Sequence, residues 1–321
     1  MKPEATNFGR QWDEFWRGGS DAAIVGDRGA TSPALKGFWS EAFSGLVAMG
    51  GEECSLLDLA SGAGVVSETA LAHISAREVT AVDISAAAVN ATRSRLGVKG
   101  IVANCADLPF SDGAFSCVAS QYGLEYAGQD AFGEAARALA PGGAFVALVH
   151  VRGGAIEAEC SRDADVAGAV IESNVLSAVA DAFQIASGRT GAHAPQAAMA
   201  ANREALMKGA QALKTVRATY GDTAASGLAV RINDDIARLF QRMSAYEPQE
   251  VLDWSAGVEA ETRSYLARMT SMQNAALDEP AVQDAAERMR AHDVVFETTV
   301  PQRLYDGAEP IAWIFKGAKP S

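Results

Sequence analysis

At 321 residues the chain is long enough for one large α/β domain, or for a core carrying an inserted subdomain. Hydrophobic residues make up 49% and charged residues 21%, ordinary values for a soluble globular protein. The net charge of −13 and the absence of any basic run argue against a nucleic-acid partner, because phosphate binding needs clustered Lys and Arg. The four cysteines, Cys54, Cys105, Cys117 and Cys160, form no C-x-x-C pair, so no metal site is expected. The first residues lack an apolar signal core, and no stretch reads as apolar for long enough to span a membrane. The expectation is a cytoplasmic protein with no membrane partner.

Residues 1–50 carry two helical patterns. Trp12, Phe15 and Trp16 stand at i, i+3, i+4, one helix face. Gly18, Gly19 and Gly26 break the pattern, and a second helix after Pro33 carries Leu35, Phe38, Trp39 and Leu46. From residue 54 strands and helices alternate. Ser55–Ala60 reads as a buried strand that ends in a glycine turn at Gly62 and Gly64, with a helix from Val65. Val79–Ile84 is the second strand, and Ser85 caps the helix after it. Gly100–Asn104, Phe115–Ser120 and Ala144–Val151 are the third to fifth, with Pro141-Gly142-Gly143 as a turn before the last. Such repeats imply a doubly wound, mostly parallel sheet.

Residues 155–293 show no strand. Leu176, Val179 and Phe183 mark one helix, and Leu206, Leu213 and Val216 another. Ile232, Ile236, Leu239, Phe240 and Met243 mark a third. Pro248 suits the first turn of a helix bearing Val251, Trp254 and Met269. Asp278 and Pro280 begin one more, and strands return at Val294–Val300 and Ile311–Phe315 around a turn at Asp306-Gly307.

Four segments fall at the carboxyl ends of successive strands, the edge where open α/β sheets bind ligands. They are Asp58-Leu59-Ala60-Ser61-Gly62-Ala63-Gly64, then Asp83, then Ala106-Asp107-Leu108-Pro109-Phe110, then Ser120-Gln121-Tyr122 with Glu125 and Tyr126 beyond. Glycines in the first let backbone approach a ligand and set a helix N-terminus beside it. Asp83 can accept from both hydroxyls of a ribose, and Asp107 from an adenine amino group. The run 62–67 also approximates a dinucleotide fingerprint, with Asp83 lying 83 − 64 = 19 residues past Gly64. Asp58 and the Asp107 segment do not belong to that fingerprint.

The four segments, DLASGAG, VDIS, ADLPF and APGG, resemble the class I S-adenosylmethionine-dependent methyltransferases, in particular the UbiE-like, type 11 subset that includes quinone-biosynthesis enzymes. The resemblance is strong over residues 55–150, and Ala60 stands where that family most often has Gly. It implies S-adenosyl-L-methionine as cofactor and a Rossmann-like, seven-stranded sheet. It further implies Asp58 near the methionyl ammonium, and Ala60, Ser61, Gly62 and Gly64 around the methionyl and ribose parts. Asp83 would hold the ribose, Ile84 would pack on adenine, Asp107 and Leu108 would read its edge, and Gln121 and Tyr122 would close the methionyl side.

For the chemistry, His150 at the end of strand five is either a base or a satisfied histidine, and Glu125 and Tyr126 are the other catalytic candidates. Arg152 reads as a surface ion-pair partner, and His73, His193 and His292 as structural or exposed. The expected organisation is N-terminal helices (1–50) covering the cofactor, a core (51–154 and 281–321), and an all-helical cap (155–280). An apolar cap implies a hydrophobic small-molecule methyl acceptor. A homodimer is compatible with the sequence. Two alternatives remain open here: an NAD-dependent oxidoreductase, and a non-catalytic module that binds S-adenosylmethionine.

Overall fold

The computed structural model describes residues 3–17, 33–50, 54–187, 196–221, 224–298 and 301–321. Gly18, Gly19, Gly26, His193 and Val300 lie outside them. The chain divides into two compact units, Met1–Ala158 with Asn274–Ser321, and Glu159–Gln273. Residues 155–158 and 274–280, expected in the insertion, fall in the first unit.

The first unit is built on one sheet. Its strands are β1 (Leu56–Leu59), β2 (Val79–Asp83), β3 (Lys99–Val102), β4 (Phe115–Gln121), β5 (Leu139–Val149), β6 (Val295–Phe296), β7 (Gln302–Asp306) and β8 (Glu309–Ala318). They stand in the order β3-β2-β1-β4-β5-β8-β6, and β7 also pairs with β8. The first five are parallel, and β8 runs antiparallel to β5 with Ala144 opposite Ala318 and Val149 opposite Trp313. The described strands thus number eight rather than seven. The expected strand at 294–300 is only Val295–Phe296, and the following Gln302–Asp306 forms its own pairing with β8.

From β1 to β5 the strands form where the apolar runs predict them. All four residues of β1 and all five of β2 are buried, as a sheet covered on both faces requires. One difference is Pro141-Gly142-Gly143. It does not separate two elements; it lies inside β5, where pairing with β4 shifts register between Phe115 and Cys117 and Gly142 takes φ 74°. A Cβ at Gly143 would sit 2.8 Å from the Ala140 carbonyl oxygen, so the bulge needs glycine there.

Helices α1 (Pro3–Arg17) and α2 (Pro33–Gly50) precede the sheet, and α3 (Val65–Ala70), α4 (Ala86–Leu96) and α5 (Asp130–Ala138) connect its strands. Ser85 caps α4 by accepting from the Ala88 N–H. Phe132, Phe145, Leu139, Met289 and Phe315 lie in the buried core.

Among the described residues, α7 (Val175–Ala186), α8 (Gln196–Tyr220) and α9 (Ala224–Gln241) lie wholly within the second unit, and α10 (Pro248–Ala275) ends in the first. They follow α6 (Ala155–Glu172), and α11 (Glu279–Arg290) comes after. Asp278 caps α11 by accepting from the Ala281 N–H, with Pro280 in its first turn. The α6 helix has no counterpart in the sequence reading, because Asp163 and several alanines interrupt its apolar stripe. Asp163 is nonetheless buried, accepting from the Tyr265 hydroxyl at 2.5 Å and the Ala225 N–H at 3.3 Å.

The stretch Ala155–Ala186 is helical, long and apolar enough by composition to cross a membrane, contrary to the expectation that none is. It is not one rod. Asn174 takes φ 52° between α6 and α7, and Val166, Val170, Val175, Leu176, Val179 and Phe183 are buried in the unit's own core clusters. That packing accounts for the apolar composition.

Candidate functional site

The order of the sheet reverses between β1 and β4, so their carboxyl ends diverge and leave a crevice. The turn after β1 lines it. Ala60, Gly62 and Gly64 take φ of 51°, 49° and 77°. Gly64 is the N-cap of α3, so that helix begins at the crevice.

Asp58 is buried beneath this turn. Its Oδ2 accepts from the Ser67 hydroxyl at 2.6 Å and the Ser67 N–H at 3.0 Å. Its Oδ1 is buried with no partner among the described residues, and so is the Ser61 hydroxyl. Burial pushes the Asp58 carboxyl up to about 7, against the Ser67 donors and with the help of the nearby Asp83 charge. A buried acceptor without a donor is costly, and a cationic ligand group would satisfy it.

Asp83 closes the other side of the turn. Its Oδ2 accepts from the Gly62 N–H at 2.9 Å, and its Oδ1 from the Ser85 N–H at 2.8 Å. Burial again raises its pKa, opposed by these backbone donors. Each carboxylate oxygen has a second lone pair, so ribose hydroxyls can still be accepted. Asp83 therefore holds the turn as well as facing it, a role the sequence reading missed.

The remaining expected residues are distributed unevenly. Asp107 is exposed, in a turn closed by its own N–H to the Asn104 carbonyl at 2.9 Å. Leu108 was expected to offer its backbone to an adenine edge. Its N–H instead donates to Glu134 at 2.9 Å, and its carbonyl accepts from Arg137 at 3.1 Å. Arg137 also donates to the Phe110 carbonyl at 2.7 Å, so the Glu134–Arg137 pair on α5 holds the whole segment. Gln121 accepts from the Trp39 indole N–H at 2.5 Å, which ties α2 to the end of β4. Ile84, expected against adenine, has α1 beside it: a Cβ at Gly9 would stand 3.2 Å from its Cγ1.

Helix α1 touches three of the four segments. Asp13 accepts from the Ser85 hydroxyl at 3.0 Å and the Ala87 N–H at 2.8 Å, the first turn of α4. Trp16 lies against Gly62, and Trp12 meets the Tyr126 ring edge-on at 5.5 Å. Asp13 is invisible to motif reading because its partners lie more than seventy residues away.

Ala60 keeps a left-handed conformation that costs an L-residue about 1–2 kcal/mol, and Gly123 is what accommodates it. A Cβ on Gly123 would lie 2.3 Å from the Ala60 Cβ. Gly123→Ala is expected to destabilise the protein by about 1–3 kcal/mol in chemical denaturation, with Ala60→Gly in the same chain recovering most of the loss. Equal stability of Gly123→Ala and the parent would contradict this close packing.

At the ends of β4 and β5, Glu125 and His150 meet. His150 Nδ1 lies 2.6 Å from Glu125 Oε1, which also accepts the His150 N–H at 3.0 Å. Tyr122 stacks on the imidazole at 4.3 Å and Tyr126 meets it edge-on at 5.9 Å. Tyr122 holds φ 53° and donates its hydroxyl to the Ile311 carbonyl at 3.0 Å. Arg152 donates to the Ala276 carbonyl at 2.8 Å.

The methyltransferase cofactor fits this arrangement. Asp58 Oδ1 and Ser61 Oγ are polar atoms in want of partners, and the glycine turn leaves room for a ligand beside them.

The comparisons agree. A family profile described as "Methyltransferase domain" matches residues 56–143. No curated protein matches the chain. Among solved structures, a geranyl diphosphate C-methyltransferase from Streptomyces coelicolor is 19% identical, with a TM-score of 0.36 over 47% of this chain and 66% of that one. An S-adenosylmethionine-dependent methyltransferase from Mesorhizobium loti is 25% identical, with a TM-score of 0.30 over 34% and 53%. One from Methanosarcina mazei is 22% identical, with a TM-score of 0.30 over 33% and 56%. The chain spans less than two thirds of the length of each. Over residues 56–143, from the start of β1 to the bulge in β5, the chain is similar to methyltransferase domains.

Proposed function

We propose that the protein is a methyltransferase that transfers a methyl group from S-adenosylmethionine to a small-molecule acceptor by direct displacement. The observation that carries this reading is the unsatisfied Asp58 Oδ1 beneath the glycine turn, inside the segment that matches the methyltransferase domain. When bound, the cofactor supplies an electrophilic methyl group on a positively charged sulfur. Asp58 and Ser61 bind the methionyl end, Asp83 the ribose, and Asp107 the adenine edge. Trp39 holds Gln121, and α1 covers the ribose side and excludes water. Orientation of the acceptor can contribute roughly 7–11 kcal/mol in favourable cases.

The experiment is transfer of a labelled methyl group from the cofactor to a panel of small aromatic and aliphatic acceptors. Tight binding with no transfer to any of them would favour a sensing or assembly role. Asp83→Ala is expected to weaken S-adenosylhomocysteine binding by about 1.5–3 kcal/mol in calorimetric titration. It should also lower the melting temperature, because the Gly62 and Ser85 N–H groups lose their acceptor. Unchanged affinity would remove Asp83 from the site.

Leu277 stands beside His150: the Leu277 N–H donates to the His150 carbonyl and the Arg152 N–H to the Leu277 carbonyl, each at 2.9 Å.

A further inference from the structure

We propose that Glu125 and His150 form a proton-accepting pair with His150 Nε2 as the base, and that the methyl acceptor presents a phenolic or enolic hydroxyl to it. The inference rests on the methyltransferase reading above and names its acceptor class.

The geometry separates this pair from an ordinary buried histidine. His150 is 3% exposed and Glu125 is 5% exposed. Oε1 of Glu125 receives the His150 backbone N–H and faces Nδ1 at 2.6 Å, so one proton lies between ring and carboxylate. With that proton on the Nδ1 side, the Nε2 lone pair is left as an acceptor. Among the described residues no hydrogen bond to Nε2 is formed, which leaves it open to a donor from a ligand. The ring cannot turn away, because Tyr122 stacks on its face and Tyr126 meets it edge-on.

The carboxylate is placed for the charged form of the ring. No Lys or Arg pairs with Glu125 among the described residues, and its Oε2 is buried without a partner. Arg152, two residues from His150, donates to the Ala276 carbonyl. An imidazolium at His150 would therefore be the charge that Glu125 balances. Tyr122 is not a competing base. Its hydroxyl donates to the Ile311 carbonyl, and burial holds its pKa well above the ordinary value.

The acceptor class follows from matching proton affinities. A phenolic or enolic hydroxyl is acidic enough to pass its proton to an imidazole as the new bond forms. A neutral amine needs no base before it attacks. An unactivated alcohol is far too weak an acid for this base. The hydroxyl oxygen forms the new bond to the methyl carbon as the carbon–sulfur bond breaks, its electron pair remaining on sulfur. The hydroxyl proton passes to Nε2 and then to solvent. Tyr122, Tyr126 and Trp12 supply aromatic surface around the pair, which suits a planar acceptor.

The test uses the full-length protein, histidine-labelled with nitrogen-15 and saturated with S-adenosylhomocysteine. Wild type should show Nδ1 protonated and Nε2 bare at pH 8. With 4-nitrophenol as probe, the bound form should ionise about tenfold more readily than the free form, one pKa unit, read as phenolate absorbance. Glu125→Gln and His150→Gln should each abolish that gain while S-adenosylhomocysteine still binds. Glu125→Gln keeps an oxygen acceptor for both His150 donors, so it preserves a purely structural role and tests the charge alone. A proton on Nε2, no phenolate gain in wild type, or a gain that survives both substitutions overturns the proposal. Failure of wild type to bind S-adenosylhomocysteine overturns the methyltransferase reading instead.

Discussion

S-adenosylhomocysteine binding should become tighter as pH rises from 5.5 to 7 and level off above it, with up to about one proton released per ligand at the acidic end. The cause is Asp58. Its carboxyl is desolvated, lies near Asp83 and is held up to about 7, and Oδ1 has no donor. The ligand's ammonium favours the charged form, so binding below pH 7 expels the proton. The sign for stability is opposite. An acid whose folded pKa is raised stabilises the fold below its unfolded value, near 3.8, and loses that contribution as pH climbs to about 7. A gap of roughly three units corresponds to a loss on the order of 4 kcal/mol. The ligand-free protein should accordingly melt lower at pH 8 than at pH 5.5, and S-adenosylhomocysteine should raise its melting temperature more at pH 8. Asp58→Asn should abolish the proton release and flatten both pH dependences. Calorimetry in buffers of different ionisation enthalpy measures the protons directly. Zero release at pH 6 would mean that Asp58 is not the group that meets the ammonium.

Arg137→Ala should be the most damaging single change outside the turn after β1. Arg137 donates to the carbonyls of Leu108 and Phe110 and pairs with Glu134, whose other contact is the Leu108 N–H. Its side chain is 21% exposed, so these bonds are largely shielded. Losing two charge-assisted bonds to half-buried carbonyls costs about 3 kcal/mol. The segment around Asp107 would loosen, and preference for adenine over other bases in nucleoside competition should fall with stability. Asp112→Ala removes only the exposed arm of the network, where surface pairs contribute about 0–1 kcal/mol, and should be nearly silent. Similar losses from both variants in urea denaturation would contradict this division of labour.

The parallel half of the sheet was legible because strands buried on both faces appear as short apolar runs, as in Leu56–Leu59 and Val79–Asp83. The turn after β1 was legible because Gly62 and Gly64 mark positive φ, and the cap Ser85 because its acceptor role is local. What escaped depends on distant partners. Ser67 under Asp58, Asp13 on α4, Trp39 on Gln121, and the Glu134–Arg137 pair behind Leu108 have no signature at short range. Helix α6 escaped because its buried Asp163 breaks the apolar stripe, while Tyr265, a hundred residues on, satisfies it. The eighth strand escaped because Gln302–Asp306 is mostly exposed and pairs only at the edge.

The crevice between β1 and β4 is assigned as the site for S-adenosylmethionine. Isothermal titration of the purified protein with S-adenosylhomocysteine and, separately, with NAD tests it most directly. The account predicts one S-adenosylhomocysteine bound per chain, affinity lowered by Asp83→Ala, and no competing heat from NAD. Binding of NAD in preference to S-adenosylhomocysteine, or no binding of S-adenosylhomocysteine at all, would contradict it.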